Sequence, residues 1–336
     1  MRKVTIKDVA REAGVAISTV SNALNNSNLV NEDTKARIIK IAEQMNYIPN
    51  MNGKYLKSDK TNTLGFISSS IRGQYFYMLL DAMSSECEKL GYVINFINTR
   101  DKNVIMNNIL GKSFDGIFIY EGERIGQKEL DIIEQNHIKT ILFDRNYSSN
   151  FISSVIFNSY KAGYEITKYL INLGHKRIFF LESASDVYDS NERKRGYIDA
   201  MKEHGIKFSQ DYVAKGMFEE VFTYNTVTYL LNVQKIDVPD AFIAGNDLSA
   251  IGCIKALHDL GYRVPDDVSV VGFDDIEIAQ YFTPTLTTIR NPIHRQGIFA
   301  VNLMMKMINE GHKGISELLD GKLIPRNSSG ICSHIK

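Results

Sequence analysis

The sequence lacks any long apolar segment. Its longest apolar runs, such as Ile117–Tyr120 and Ile141–Phe143, are far shorter than the roughly 18 residues that a membrane helix needs. Near the amino terminus, Asp8, Arg11 and Glu12 occupy the stretch where a secretory signal would carry its apolar core. We therefore expect a cytoplasmic protein with no membrane partner.

Cysteine is also scarce, and no motif of catalysis is present. The three cysteines, Cys87, Cys253 and Cys332, are far apart and odd in number, which predicts neither a disulfide framework nor a cysteine zinc site. The seven histidines have no metal-ligand spacing, and GxGxxG, GxxxxGKS/T, HExxH and GxSxG are all missing. We expect no cofactor, no metal and no enzymatic activity, and a sugar-processing enzyme is the less favoured alternative.

Composition and charge describe a globular chain with a basic amino-terminal part. The 336 residues are 44% hydrophobic and 23% charged, which is enough for two domains with a substantial core. The net charge is zero, but residues 1–60 hold ten Lys/Arg against six Asp/Glu. That part carries +4 and the remainder −4, so we expect the amino-terminal head to meet a polyanion.

The head has the pattern of three short helices. Thr5–Asp8 is a capping-box pattern, and Gly14 is placed to end the first helix in the left-handed conformation. A second helix is predicted over about Ile17–Leu24, and a third after Asn31. A glycine turn followed by a helix that buries Val20 predicts a helix-turn-helix, whose second helix enters a major groove. A plain three-helix cap is the alternative.

The rest of the chain alternates strands with helices. Short β-rich runs and amphipathic windows follow one another from Leu64–Ser68 and Phe76–Leu90 to Leu248–Leu260 and Ser269–Gly272. Such alternation predicts parallel sheets with right-handed crossovers, and about 270 residues suit two lobes around a cleft. The predicted fold is a small all-α helix-turn-helix head joined to an α/β body of two doubly wound parallel-sheet lobes. We expect the domains to be residues 1–48, a hinge and linker over 49–62, and a body over 63–336.

The head closely resembles a known family. Val4–Val15, Ser18–Asn25 and Tyr47–Asn50 are similar to the opening of LacI/GalR-family transcriptional regulators. Three short motifs resemble that family's effector domain, in the same order: Ala244–Asp247, Val270–Asp275 and Leu286–Pro292. The resemblance implies a periplasmic-binding-protein-like body, operator DNA as a partner, a small-molecule effector such as a carbohydrate, and a homodimer. A solute-binding protein with the same two-lobed fold is the alternative, but it would lack the head.

The resemblance also assigns DNA contacts. Ile17, Ser18 and Asn22 are placed to read base edges, and Thr5, Thr19, Ser21 and Asn25 to contact phosphates. An asparagine amide can read adenine, isoleucine can pack on a thymine methyl, and short polar side chains bind phosphate oxygens. Ile17 could instead belong to the core, and Thr5 could serve only as a helix cap. Ala16 stands where the family usually has a capping serine, so we expect a less firmly started second helix.

The linker resembles the family's hinge only in part. Within Asn50–Leu56, Leu56 keeps the place of a leucine that wedges between base pairs in the minor groove, whereas Gly53 and Lys54 depart from the pattern. Glycine disfavours a helix interior, so we expect a hinge helix only when DNA holds it. The alternative for Leu56 is a linker residue that packs on the body.

Nine residues of the body match the family's effector pocket: Gln74, Tyr75, Phe76, Asp144, Arg145, Arg193, Phe218, Asn246 and Asp274. Most of them follow a predicted strand or open a helix, where a cleft between lobes would be lined. Their amide, guanidinium and carboxylate groups suit sugar hydroxyls or a small anion, and the aromatic rings can stack on a pyranose. Alternatives are a surface pair for Asp144 and Arg145, a helix cap for Asn246, and core packing for Phe76.

Overall fold

The computed structural model describes residues 4–25, 27–47, 60–71, 73–122, 124–183 and 187–332. These residues form two compact units, one up to Thr61 and the other from Asn62 onward. In the described ranges, no helix combines the length and the apolar character that crossing a bilayer would need.

The described residues of the first unit form three helices: α1 (Ile6–Ala13), α2 (Ile17–Leu24) and α3 (Glu32–Gln44). Gly14 ends α1 with φ of 64°, the left-handed conformation that its lack of a Cβ allows. Asn31 caps α3 by accepting a hydrogen bond from a backbone amide of the first turn, at 2.8 Å. Val9, Val20 and Ile38 are fully buried between the helices. The predicted helix-turn-helix arrangement is confirmed.

The second unit alternates strands and helices throughout. Its first part contains β1 (Thr63–Ser68), α4 (Gln74–Lys89), β2 (Val93–Asn98), α5 (Lys102–Leu110), β3 (Gly116–Tyr120), α6 (Gln127–Gln135), β4 (Thr140–Leu142) and β5 (Ile152–Phe157). Its second part contains α7 (Ser159–Asn172), β6 (Ile178–Glu182), α8 (Tyr188–Glu203), β7 (Val213–Lys215), α9 (Glu220–Thr228), β8 (Ala241–Ala244), α10 (Asp247–Asp259), β9 (Ser269–Asp274) and β10 (Thr287–Arg290). The chain then adds α11 (Ile293–Asn309), β11 (Ser316–Leu319) and β12 (Lys322–Ile324).

These strands form two six-stranded sheets, one in each lobe. The order is β11-β5-β4-β3-β1-β2 in the first lobe and β12-β10-β9-β8-β6-β7 in the second. All neighbouring strands run parallel except β10 and β12, which are antiparallel. The prediction of two doubly wound sheets is confirmed, with this one antiparallel edge as a departure. An edge strand that follows β11 after a short turn enters the second sheet without a helical crossover, and it therefore need not run parallel.

The chain passes between the lobes three times. It leaves the first lobe after β5, returns before α11, whose side chains pack into the first lobe's core, and leaves again between β11 and β12. The carboxyl ends of the parallel strands in each lobe face the cleft between them, as the carboxyl edge of a doubly wound sheet does. This arrangement brings loops that are far apart in sequence to one site.

Candidate DNA-reading helix and ligand cavity

Helix α2 presents the predicted DNA contacts on one side. Because successive residues turn by about 100° around a helix, the five contacts on its base-reading side share one face: Ile17, Ser18, Ser21, Asn22 and Asn25. Val20 and Ala23 are buried on the opposite side. Ile17 is 44% exposed and stands outside the head's core cluster, so the core-packing alternative for this residue is disfavoured. Thr19 lies at the margin of the face and is partly buried.

Thr5 has a local partner at the start of α1. Its backbone N–H and its hydroxyl both donate to the Asp8 carboxylate, at 2.9 and 2.7 Å. The Thr5 hydroxyl therefore donates to the Asp8 carboxylate. Thr5 serves as the cap of α1, the alternative role predicted from the sequence. The side chain is exposed, and its oxygen retains acceptor capacity. Leu56, the predicted wedge, lies outside the described residues.

The second helix starts without a side-chain cap, as its sequence predicts. Ala16 has an extended backbone at the N-cap position, and its side chain offers no acceptor to the first-turn amides. We expect Ala16→Ser to stabilise α2 by about 1 kcal/mol, because the hydroxyl would accept one of those amides. Hydrogen exchange of the α2 amides in the full chain measures this gain. Ala16→Val is the control, since it suits the extended backbone but adds no acceptor, and an equal gain from valine would contradict the capping explanation.

A cavity of about 450 Å³ lies between the two lobes of the body. Seven of the nine predicted effector residues line it: Gln74, Tyr75, Phe76, Arg193, Phe218, Asn246 and Asp274. These seven residues come from elements of both lobes. The end of any one strand could not have brought them together. The volume is within the range of small-molecule sites.

Arg193 is the central charged group of this cavity. It lies on α8, is 4% exposed, and has its guanidinium Cζ 4.6 Å from the centre of the Phe273 ring. Nη2 is 3.6 Å from the Asp274 carboxylate, and Nη1 donates to the backbone oxygen of Gly245. Its Nε is buried and has no hydrogen-bond partner. A buried donor without a partner is costly, so this atom is well suited to bind a ligand oxygen.

Asp274 holds a strained backbone at the end of β9. Its φ is 104°, and a residue with a Cβ rarely adopts such a conformation. Met217 and Phe218, which also line the cavity, have positive φ as well, at 57° and 58°. The Asn291 amide points its nitrogen at the Asp274 carboxylate at 3.4 Å, while its own buried Oδ1 has no partner. Three strained backbone positions and two unpaired buried polar atoms therefore line the cavity, features that are found at binding sites.

An aromatic wall covers the first-lobe side. The ring centres of Tyr75, Phe76 and Tyr120 lie 4.9–5.7 Å from one another. Phe76 belongs to the hydrophobic core of the first lobe and also lines the cavity. The Tyr75 hydroxyl donates to Gln296 at 3.2 Å. Burial raises the pKa of Tyr75 and Tyr120 further above the usual phenol range, with nearby carboxylates adding to the effect. Both hydroxyls therefore stay neutral.

Two predicted residues also connect parts of the cleft. The Gln74 side-chain oxygen accepts the Glu277 backbone N–H at 3.1 Å, so a residue of α4 in the first lobe contacts the second lobe. Asn246 caps α10 by accepting the Ser249 amide at 2.9 Å, and its side-chain nitrogen donates to Phe218 oxygen at 3.2 Å. Asn246 therefore both caps α10 and lines the cavity.

Asp144 and Arg145 do not line the cavity. They pair with each other at 2.9 Å, and Asp144 accepts the backbone N–H of Glu121 at 2.8 Å. Arg145 donates to the backbone oxygens of Glu121 and Ile125. Both side chains are largely buried, at 8% and 20% exposure, so they are not a surface pair either. These bonds hold the loop after β3 against the end of β4. Tyr120 is the last residue of β3.

The structure adds cavity residues that the motif comparison did not identify, among them Tyr120, Phe157, Asp189, Asp247, Asn291 and Gln296. Asp247 is fully buried and accepts from the Ile276 amide at 2.9 Å and the Thr288 hydroxyl at 2.6 Å. Asp189 accepts from the Ser159 hydroxyl at 2.6 Å. Burial raises the pKa of both carboxyl groups, Asp247 the more strongly. Asp189 lies one turn before Arg193 on α8. The sequence alone indicates this relation only if α8 is known to begin before Asp189.

Two family models match the chain. One, for bacterial regulatory proteins of the lacI family, matches residues 5–50, and the other, for a periplasmic binding protein-like domain, matches residues 167–329. Together they match the head and most of the second half of the body.

Similar proteins cover nearly the whole length. A probable HTH-type transcriptional repressor ExuR of Bacillus subtilis is 31% identical over 94% of this chain and 95% of its own length. The HTH-type transcriptional repressor PurR of Pasteurella multocida is 32% identical over 91% of this chain and 92% of its own. The structure of the lac repressor dimer bound to operator and the anti-inducer ONPF aligns with a TM-score of 0.83 at 23% identity, over 98% of this chain and 100% of that one. This last likeness concerns the fold. The head, the two-lobed body and the full-length similarity to these repressors lead to one conclusion: the chain belongs to the LacI family of bacterial regulatory proteins.

Proposed function

We propose that this protein is a transcriptional repressor that binds operator DNA through α2 and a small molecule, such as a sugar, in the cavity between its lobes. One chain combines a helix-turn-helix whose second helix carries the predicted DNA contacts on one face with a ligand-sized cavity lined by an unpaired buried donor, Arg193 Nε, and an unpaired buried acceptor, Asn291 Oδ1. This combination carries the proposal. The family membership supports both halves. We expect the protein to act by binding and not by catalysis, and to work in the cytosol, where the operator is.

The proposed assembly is a homodimer. One helix of eight residues reaches few base pairs, and a two-fold pair reading a near-palindromic site doubles the contacts. The lac repressor, whose structure has a similar fold, was solved as a dimer on its operator. Ligand and DNA are expected to be coupled, because each favours one arrangement of the lobes. Linkage then requires that the ligand change DNA affinity by the same factor by which DNA changes ligand affinity.

A gel-shift assay at two salt concentrations tests the DNA-binding half. The duplex is first selected from random sequence with the full-length protein, and the assay is repeated with and without sugars. Binding should weaken steeply as salt rises, because contacts to phosphates release counterions. A protein that selects no duplex at low salt would contradict the proposal.

We expect Asn22→Ala to relax base preference at one position in each half-site, at a cost of about 1 to 3 kcal/mol for the preferred base. Binding to a panel of single-base variants of the selected duplex measures the preference. Asn25→Ala is the matched control on the same face of α2, because a phosphate contact carries no base information and its loss should weaken all variants alike. Asn22 is not a base reader if its variant keeps the preference profile of the parent.

A further inference from the structure

The cavity between the lobes carries more negative than positive charge. Among the described residues that line it, Arg193 is the one Lys or Arg, whereas five carboxylates line it: Asp189, Glu219, Glu220, Asp247 and Asp274. Three of the five are engaged or screened elsewhere. Glu220 pairs with Lys255, Asp247 accepts from the Ile276 amide and the Thr288 hydroxyl, and Glu219 is exposed to solvent. Among the described lining residues, the charge that a ligand meets is therefore set by Arg193, Asp274 and Asp189.

Arg193 has little positive charge left for an anionic ligand. Asp274 is 3.6 Å from its guanidinium, and the Gly245 carbonyl accepts from it as well. The group that it still offers is the buried Nε–H, a single donor beside an already paired charge. A hydroxyl oxygen can accept from this donor without adding negative charge.

Asp189 is the surplus carboxylate. It lies four residues before Arg193, on the same face of α8, and its carboxylate accepts from the Ser159 hydroxyl. It forms no ion pair with any Lys or Arg in the described part of the chain. Burial, together with the nearby Asp274 and Asp144, raises the pKa of this carboxyl group, although Arg193 opposes the rise. The cavity is thus a place where one more negative charge would be repelled at short range and in a low dielectric.

Building on the proposed ligand-responsive function, we infer that the cavity takes an uncharged, hydroxyl-rich ligand and that Asp189 is the specificity-determining residue that excludes anionic ones. A ligand hydroxyl donates to Asp189 or Asp274 and accepts from Arg193 Nε. The carboxylate of a sugar acid in the same position would face Asp189 and have no unpaired cation among the described residues. The surrounding aromatic side chains, Tyr75, Phe157 and Phe218, suit the faces of a sugar ring in either case, so charge is what separates the two classes.

The experiment compares neutral sugars with their acid counterparts on the full-length protein by calorimetry. The probes are D-glucose, D-galactose and D-mannose, each beside the uronate that keeps its ring: D-glucuronate, D-galacturonate and D-mannuronate. We expect at least one neutral sugar to bind, and to bind about tenfold or more tightly than its acid, because like charges brought together cost several kcal/mol. In Asp189→Asn, which keeps the acceptor for the Ser159 hydroxyl, the preference should shrink by about tenfold. Glu310→Gln, at an exposed position that does not line the cavity, is the control and should keep the preference.

Three results would overturn the inference: an acid that binds as tightly as its neutral partner, an unchanged preference in Asp189→Asn, or no binding by any neutral sugar. The gel-shift assay on the same preparation separates these failures from failure of the proposed function. Salt-sensitive DNA binding without sugar selectivity would leave the operator-binding role intact. Sugar selectivity without DNA binding would support the assignment of Asp189 and contradict the repressor function.

Discussion

Arg193→Ala is expected to remove much of the response of DNA binding to ligand while leaving DNA binding without ligand intact. The side chain is buried at the centre of the cavity, joins Asp274 to the Gly245 carbonyl, and carries the one unpaired guanidinium donor described there. Its loss removes a charge-assisted hydrogen bond to the ligand, worth about 1.5 to 3 kcal/mol, and leaves Asp274 without its cationic partner. The head is a separate compact unit, so α2 itself is not altered.

The measurement is a titration of the selected duplex, with and without the neutral sugar that binds most tightly. Arg195→Ala is the matched control, because Arg195 lies two residues later on the same helix, is exposed, and pairs with Glu192. It should keep the full response. Breaking a buried ion pair destabilises by about 3 to 5 kcal/mol, so thermal unfolding of both variants is recorded to show that the body is folded. A folded Arg193→Ala protein with the parental ligand response would remove Arg193 from the effector site.

The sequence predicted the head well because local signals dominate there. Thr5, Gly14 and Asn31 mark helix ends by chemistry that acts within one turn. Helix α1 begins and ends, and α3 begins, where those residues predict. The strands of the two lobes were also predictable wherever they are continuous apolar runs, as at Gly116–Tyr120 and Ala241–Ala244. Seven of the nine proposed effector residues came together because strand ends in a doubly wound sheet share one edge.

Other features depend on partners far away in the chain. Strand β5 contains Ser153 and Ser154, which are polar in sequence but fully buried, with hydroxyl contacts to α11 and β11. Helix α8 begins at Tyr188, so Asp189 lies in its first turn, and no local signal in the sequence places that carboxylate at the cavity. Helix α11 was not predicted at all, because the expected alternation stopped at Gly272 and nothing local shows that the chain returns to the first lobe. The missed ligand residues are thus those that tertiary structure positions.

Gly163→Ala is expected to destabilise the body by about 3 kcal/mol, and to weaken ligand binding with it. Gly163 lies on α7 where it crosses α8, and a Cβ there would be 2.1 Å from the backbone oxygen of Arg193. The contact is reciprocal, because a Cβ on Gly196 of α8 would be 2.2 Å from the backbone oxygen of Tyr160. Alanine gains about 1 kcal/mol of helix propensity, but backbone atoms at this distance cannot yield as a flexible side chain can. The two helices must move apart, and Arg193 moves with α8.

Urea unfolding of the full chain, followed by circular dichroism, gives the change in stability, and calorimetry with the bound sugar gives the change in affinity. Gly330→Ala is the matched control, because its Cβ would lie 3.5 Å from the nearest atom, an ordinary contact with the Pro265 ring. That variant should change stability by less than about 1 kcal/mol. If Gly163→Ala is as stable as the control and binds sugar as the parent does, then α7 and α8 are not in the close contact that positions Arg193, and the cavity must owe its shape to other elements.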